Sequence, residues 1–290
     1  IKKKVLYISP LRSINSVLQR NLIKIKNELK IDCSIQSRTS DVSQSIKSKQ
    51  LLNIPDILLT TPESLALMLA NPDASSVIES IDFLIVDELT ELISNKRGDL
   101  LSLSLSRINT INRKFILIGL SATLTNFTYV KKWLSLKGKT KLIKNDAKKE
   151  IKIQVLFDNK IPISGHNPNN CLELIKKKLI NKKTIIFVNT RAQSELLFKD
   201  LFLISNKLIL GIHHGSLSKK HRFDTEKLFS ENKIDAIIST SSLELGVDWK
   251  NVDQIINIGT PKNINRLIQR TGRSNHNYYG VPISYLIPTN

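Results

Sequence analysis

The sequence predicts an α/β protein of two domains, each a mostly parallel sheet flanked by helices, and three observations predict it. Apolar runs of strand length, such as Ile54 to Leu59 and Phe115 to Leu120, recur along the chain. They alternate with stretches of helical period, as parallel sheets covered by helices require. Polar clusters follow the strands directly, among them Asn189-Thr190-Arg191 and Ser239 to Ser242, where open parallel sheets bind ligands. A length of 290 residues with 41% apolar content supplies cores for about two domains.

In chain order, Val5 to Ser9, Ile31 to Ser34, Asp56 to Thr60, Phe83 to Asp87 and Phe115 to Ser121 read as the first set of strands. Leu11 to Leu29, Pro62 to Leu69 and Gly98 to Ile108 carry helical period, and Pro62 suits a first helical turn, where its missing N–H is no loss. A Lys-rich polar stretch from Lys137 to Glu150 separates this set from the next, which puts the domains at 1–150 and 151–290. The second set runs from Ile151 to Phe157 through Thr184 to Asn189, Leu208 to His213, Ala236 to Ser239 and Gln254 to Ile258. Helices are expected from Arg191, Ser218 and Asn263. No repeat or low-complexity segment interrupts either set.

The formal charge is +19, from 44 Lys and Arg against 25 Asp and Glu, and such an excess suits a polyanionic partner, nucleic acid first. The chain is also rich in Ile, Asn and Lys together, and a biased coding composition would produce the same lysines without any partner. No apolar run approaches the ~20 residues of a membrane span. Cys33 and Cys171 stand alone, with no CxxC or His spacing, which argues against a zinc site or disulfide scaffold and for a reducing, cytoplasmic setting. The chain opens at Ile1 without Met, so a lost start is expected.

Asp87 and Glu88 close the apolar segment that begins at Leu84. In nucleoside triphosphatases a buried strand ends in an acid that holds Mg²⁺ near the phosphates, and a neighbouring acid orients or deprotonates the attacking water. The same pair also suits a plain cap on the next helix. His213 and His214 could suggest a metal pair, yet adjacent strand residues point to opposite faces and no third ligand has suitable spacing. They read instead as a loop touching a nucleic-acid backbone.

Further blocks stand in order: Tyr7-Ile-Ser-Pro-Leu-Arg12, Thr60-Thr-Pro-Glu63, Asp87-Glu-Leu-Thr90, Ser121-Ala-Thr123, Phe187-Val-Asn-Thr-Arg191, His213-His-Gly-Ser216, Thr240 to Asp248 and Gln269 to His276. Their order and spacing resemble the core of superfamily 2 DEAD/DEAH-like helicases nearly end to end. Ser94 to Asp99, Ile258-Gly-Thr-Pro-Lys262 and the final His276 are similar to the large helicase-related (Lhr) family, in particular its ligase-associated DEXH-box branch.

The resemblance implies two RecA-like domains, ATP and Mg²⁺ in the cleft between them, and one nucleic-acid strand crossing both. Asp87 would hold Mg²⁺, Glu88 would act on the water, and Arg273 would serve as an arginine finger, a planar cation on the transferred phosphoryl group. Gln269 and Arg270 would support Arg273. Ser121, Thr123, Gly246 and Asp248 would link the nucleotide to the strand, and His276 would face the phosphates with less charge than the arginine of many relatives. Ser9, Arg12, Thr61, Glu63, Thr190, Arg191 and Thr240 would grip the strand's backbone, giving salt-sensitive binding without sequence readout. The implied activity is 3′ to 5′ ATP-dependent helicase or translocase action on single-stranded DNA in repair, by a monomer, beside DNA ligase or other repair factors. An RNA or hybrid helicase and a non-catalytic nucleic-acid clamp are the alternatives.

Two departures qualify that expectation. No Gly-x-x-x-x-Gly-Lys-Ser/Thr loop occurs in the chain; Lys137-Gly-Lys-Thr140 has Trp133 at the first glycine position and follows the Ser-Ala-Thr block. The expectation is a fragment that lacks its phosphate loop and C-terminal domains and, alone, hydrolyses ATP poorly. Thr90 also replaces the usual histidine after the acidic pair, which predicts weaker coupling because threonine is shorter and cannot become cationic.

Overall fold

Four-residue strands of Ile, Leu and Val set the architecture. A computed structural model describes residues 3–93, 95–122, 126–135, 140–144, 150–156, 171–205, 207–244, 249, 251–275 and 280–289. The chain divides into two compact units, Ile1–Asn145 and Asp146–Asn290.

The first unit runs β1 (Val5–Ile8), α1 (Arg12–Glu28), β2 (Ile35–Arg38), α2 (Gln44–Leu52), β3 (Ile57–Thr60) and α3 (Pro62–Leu69). It continues with α4 (Ala74–Glu79), β4 (Phe83–Val86), α5 (Leu89–Ile93), α6 (Lys96–Ile111), β5 (Ile116–Gly119) and α7 (Phe127–Leu134). Its sheet has the order β2-β3-β1-β4-β5, and every pairing is parallel. β1 lies in the middle, with Leu6 opposite Leu58 on one side and Leu84 on the other. Those three side chains are at most 1% exposed and pack with Leu65, Met68, Leu101 and Leu105 of the covering helices. A parallel sheet covered on both faces reads as continuous apolar runs for this reason.

The second unit runs β6 (Lys152–Val155), α8 (Leu172–Leu179), β7 (Thr184–Phe187), α9 (Arg191–Ile204), β8 (Leu210–His213) and α10 (Lys219–Ser230). After β9 (Ala236–Ser239) comes a one-turn 3₁₀ helix, Ser241–Leu243, then β10 (Gln254–Ile258), α11 (Ile264–Thr271) and β11 (Ile283–Ile287). The order is β6-β11-β10-β7-β9-β8, again parallel throughout. β7, β9 and β10 are buried at every position. Both units are therefore α/β as the sequence predicts, and β9 and β10 have the bounds expected of them.

Elsewhere the structure differs. The second strand begins at Ile35, not Ile31, because the residues between leave the helix: Lys30 adopts a φ of 53° and the Ile31 N–H returns to the Lys26 carbonyl at 2.9 Å. β2 itself reads Ile-Gln-Ser-Arg, too polar to stand out, since Arg38 is buried against the Lys47 carbonyl and Gln50. α2, α4, α5, α7, α8 and β11 were not anticipated; each is nine residues or shorter, which leaves little room for a period to show. No helix among the described residues is long and apolar enough to cross a membrane.

Two residues carry unusual structural weight. Gly98, in the first turn of α6, packs so closely on α5 that a Cβ there would lie 2.0 Å from the Leu92 carbonyl oxygen. Gly98→Ala is expected to cost about 1–3 kcal/mol, because backbone must shift to admit the methyl, and urea denaturation reads the loss. Asp56 accepts the Ser34 N–H at 2.7 Å, the Ser34 hydroxyl at 2.8 Å and Lys4 Nζ at 3.0 Å. The Ser34 donors first, and then Lys4, hold its carboxyl well below the usual carboxylate range. A depressed folded-state value means that this stabilisation is present above the unfolded value of about 3.9 and lost as pH falls through the folded one. Asp56→Asn should lower the melting temperature near neutral pH and flatten its decline below about pH 4, as a melting series across acid pH would record.

Candidate functional site

A parallel sheet presents the C-terminal ends of its strands on one edge, and most of the singled-out residues of each unit lie there. In the first unit, Asp87 follows β4 and its N–H donates to the Ile8 carbonyl at 2.9 Å, extending the β1–β4 ladder by one residue. Its carboxylate is held at both oxygens: Oδ1 accepts the Glu88 N–H at 2.8 Å and Oδ2 accepts the Tyr7 hydroxyl at 2.6 Å. Burial, then the hydrogen bond to Asp87 and the charges of Asp87 and Glu88, push the Tyr7 phenol far above its ordinary range, so it stays a protonated donor. Glu88 adopts a φ of 49°, a left-handed conformation costly for a glutamate and found where function over-determines the backbone. The chain then enters α5, where Thr90 Oγ1 lies 3.2 Å from Ser121 Oγ at the end of the neighbouring strand. The threonine thus joins the start of α5, just after the acidic pair, to Ser121.

The predicted strand-gripping residues take different parts. Arg12 opens α1, exposed, with Nη1 2.7 Å from Ser40 Oγ and 3.0 Å from Asp41 Oδ1. Ser9 is 0% exposed, and its hydroxyl donates to Asn15 Oδ1 at 2.7 Å while Asn15 Nδ2 reaches the Thr60 carbonyl at 2.9 Å. Its side chain ties the loop to the sheet. Thr61, 4% exposed, likewise caps α3, accepting the Ser64 N–H, while Glu63 is exposed. Burial tends to raise the Glu63 carboxyl, but the hydrogen bonds and charge of Arg97 outweigh it and hold the carboxyl below its ordinary value. Arg97 Nη2 contacts both Glu63 Oε2, at 3.1 Å, and the Pro10 carbonyl, so one side chain joins the loop before α1 to the start of α3.

In the second unit Thr190 caps α9 in a reciprocal capping box with Gln193, and Arg191 opens the helix exposed beside Gly215. Thr240 precedes the 3₁₀ helix without a side-chain capping bond, and its N–H donates to the His213 carbonyl at 3.3 Å. The two histidines are both buried. His213 ends β8 and its ring is buried, with Nδ1 2.7 Å from Ser242 Oγ and Nε2 3.0 Å from Glu226 Oε1; His214 is also 2% exposed. They pin the turn from inside.

Arg270, expected to support the finger, is drawn inward. It is 3% exposed: Nε donates to Glu244 Oε1 at 2.7 Å, Nη1 to Asn257 Oδ1 at 3.2 Å, and the guanidinium lies 4.9 Å from the Phe187 ring centroid. Burial lowers its pKa and Glu244 opposes that, so the cation is spent on holding the 3₁₀ segment to α11 and β10. Arg266 Nη1 adds a second contact to Glu244 at 3.3 Å. Gln269 is nearly buried, with both side-chain polar atoms unpartnered, and Arg273 follows α11, half-buried, its N–H bonded to the Arg270 carbonyl. Thr123, Gly246, Asp248 and His276 lie outside the described residues. Sequence reasoning missed Tyr7, Asn15, Arg97 and Glu244 as partners; Tyr7, Arg97 and Glu244 lie inside quoted blocks, but nothing local marks whom they touch.

Among the described residues no group of three or more His, Cys, Asp or Glu side chains could hold a metal ion. A Mg²⁺ that also binds phosphates needs only one or two carboxylates, and each Asp87 oxygen keeps a lone pair beyond the bonds described, so the donor set fits.

Residues 1–130 match the DEAD/DEAH box helicase family and residues 167–277 the helicase conserved C-terminal domain. The ATP-dependent helicase Lhr-Core of Methanocaldococcus jannaschii is 40% identical over 299 residues, across 98% of this chain and 35% of the relative. The Lhr-Core of Saccharolobus solfataricus is 34% identical over 95% of this chain and 34% of its own length. The structure of Mycobacterium smegmatis helicase Lhr bound to ssDNA and AMP-PNP matches with a TM-score of 0.86 and 29% identity, over 100% of this chain and 40% of that one. The chain thus spans about a third of the length of these curated relatives. Two RecA-like units bearing these blocks in order define a superfamily 2 helicase core. Within that superfamily the chain belongs to the Lhr family.

The buried ion pair gives a direct test. Glu244→Gln leaves the Arg270 cation buried without its counter-charge, and the expected loss is about 3–5 kcal/mol in urea denaturation followed by tryptophan fluorescence. Replacing both partners, Glu244→Leu with Arg270→Met, should restore most of it.

Proposed function

We propose that this chain is the motor segment of an ATP-dependent DNA helicase or translocase that moves 3′ to 5′ on single strands in repair. The arrangement that carries the reading is Asp87 and Glu88 at the end of β4, with Tyr7 on one carboxylate and Thr90 bridging to Ser121. Asp87 would hold Mg²⁺ and Glu88 would orient and deprotonate water; bound Mg·ATP supplies the phosphoryl group and the cation that neutralises its charge. The phenol of Tyr7 keeps Asp87 aimed, and the left-handed backbone at Glu88 turns its side chain away from the line of the strand. Arg273 would place a cation on the transferred phosphoryl group, Gln269 would bond its surroundings, and Thr123, Gly246, Asp248 and His276 are proposed for nucleotide binding and coupling. The DNA in the Mycobacterium smegmatis structure supports DNA as the partner, and Arg12, Glu63, Thr190, Arg191 and Thr240 are its proposed contacts.

Residues 1–150 would form the ATP-binding domain and 151–290 the C-terminal helicase domain, working as a monomer in the cytoplasm near DNA ligase or other repair factors. The ligase-associated branch is part of the same proposal. A non-catalytic clamp is the second reading, favoured by Thr90 after the acidic pair, which cannot become cationic. An RNA or hybrid substrate is distinguished by strand competition.

The decisive measurement is ATP hydrolysis by the full reading-frame product with and without single-stranded DNA or RNA. DNA-stimulated turnover that falls by roughly 10²-fold or more in Glu88→Gln is the expected result, and the 290-residue chain alone should turn over poorly. Tight strand binding without turnover in either protein would establish the clamp instead.

A further inference from the structure

The second unit has a cavity that the strand-end blocks do not use. It holds about 600 Å³, within the range of small-molecule sites, and its lining clusters at the N-terminal ends of the strands: Lys183 precedes β7, Leu208 lies just before β8, Asp235 precedes β9 and Asp253 precedes β10. In a parallel sheet that edge is opposite the one where Thr190, Thr240 and their neighbours sit.

Four lysines, Lys176, Lys182, Lys183 and Lys207, line the cavity, Lys176 Nζ lying 3.8 Å from Glu173 Oε1, and the lining itself carries two carboxylates. Both carboxylates are committed to the backbone: Asp253 Oδ2 accepts the Lys183 N–H at 2.7 Å and Asp235 Oδ2 accepts the Ile209 N–H at 2.8 Å. They fix where two strands begin and offset the lysines incompletely. Lys183 is held in place, with Nζ donating to Asn232 Oδ1 at 2.6 Å and lying 4.6 Å from the Phe229 ring centroid. Asn181 and Asn232, at φ of 55° and 59°, make the left-handed turns that set Lys182, Lys183 and Lys233 after them. The buried side chains of Leu179 and Ile234 add an apolar surface.

We propose that this cavity binds phosphate groups, and that the ligand is a nucleotide, free or within a strand, whose phosphates meet the lysines while its base covers the apolar surface. A rim of point charges on flexible stems suits phosphates of varied geometry, and an apolar floor suits a flat base. Such a site is independent of ATP hydrolysis at Asp87 and Glu88.

Lysine acetylation footprinting of the intact chain tests it, using AMP, inorganic tripolyphosphate and an oligo-dT strand as probes. At least one probe should protect Lys182 and Lys207, both exposed, at concentrations that leave the exposed Lys24 and Lys227 unprotected. In Lys182→Gln with Lys207→Gln, the concentration needed to protect Lys176 should rise about tenfold with an unchanged melting temperature. Protection by AMP without oligo-dT assigns a free nucleotide, protection by oligo-dT alone assigns a strand, and protection by tripolyphosphate alone overturns the nucleotide assignment. No protection, equal protection of Lys24 and Lys227, or an unchanged concentration in the double variant overturns the proposal.

Discussion

A parallel strand buried on both faces can carry a polar side chain inside only where a buried partner meets it, as Asn257 meets Ser284, and otherwise displaces its polar residues to its ends; the rest of this structure depends on that constraint. β7, β9 and β10 are buried at every position, and β1 and β4 expose no side chain fully. Polar chemistry is therefore displaced to the residues where each strand stops. Asp87 stands one residue past β4, Ser121 two past β5, and Thr240 one past β9. Because all strands of a sheet run the same way, these ends share an edge, and residues far apart in sequence become neighbours. The helices that follow are capped by the same polar residues, so Thr61 and Thr190 serve helix starts while standing among the site's residues.

Buried charge is the second organising force. A guanidinium as buried as Arg270 persists only with a counter-charge and further hydrogen bonds, and Glu244, Asn257 and the Phe187 ring supply them. The pair joins the 3₁₀ segment after β9 to α11, so the loop carrying Arg273 and the segment after Thr240 cannot move independently without exposing or orphaning a charge. Arg97 does the corresponding work in the first unit, although in a more exposed setting where each contact contributes less. Its reach to both Glu63 and Pro10 joins two elements whose ends would otherwise be tied only through the sheet.

The acidic pair shows how local strain and tertiary support combine. Glu88 adopts a backbone conformation that a glutamate avoids, and its own N–H compensates by binding Asp87 Oδ1. The Tyr7 hydroxyl holds the other oxygen, with its proton secured by burial and by the two neighbouring carboxylates. Orientation of the first acid is thus set before any ligand arrives, which is the preorganisation that charge stabilisation requires.

Period, punctuation and capping determined a great deal by themselves: the α/β class, most long elements, and β9 and β10 to the residue. These are properties of consecutive residues, and local physics writes them into local sequence. The family was legible for a related reason, since its blocks are strand ends whose types and order survive as a string. Short polar elements such as α2 and β2 escaped because their burial comes from partners elsewhere in the chain. The parts played by Ser9, His213 and Arg270 were decided only in three dimensions. Ser9 and His213 were read as contacts to a strand and Arg270 as support for Arg273, and each is buried, with side-chain partners between two and 29 positions away. A side chain's type limits what it can bond, but which partner it meets depends on how helices and strands pack, and no local pattern encodes that.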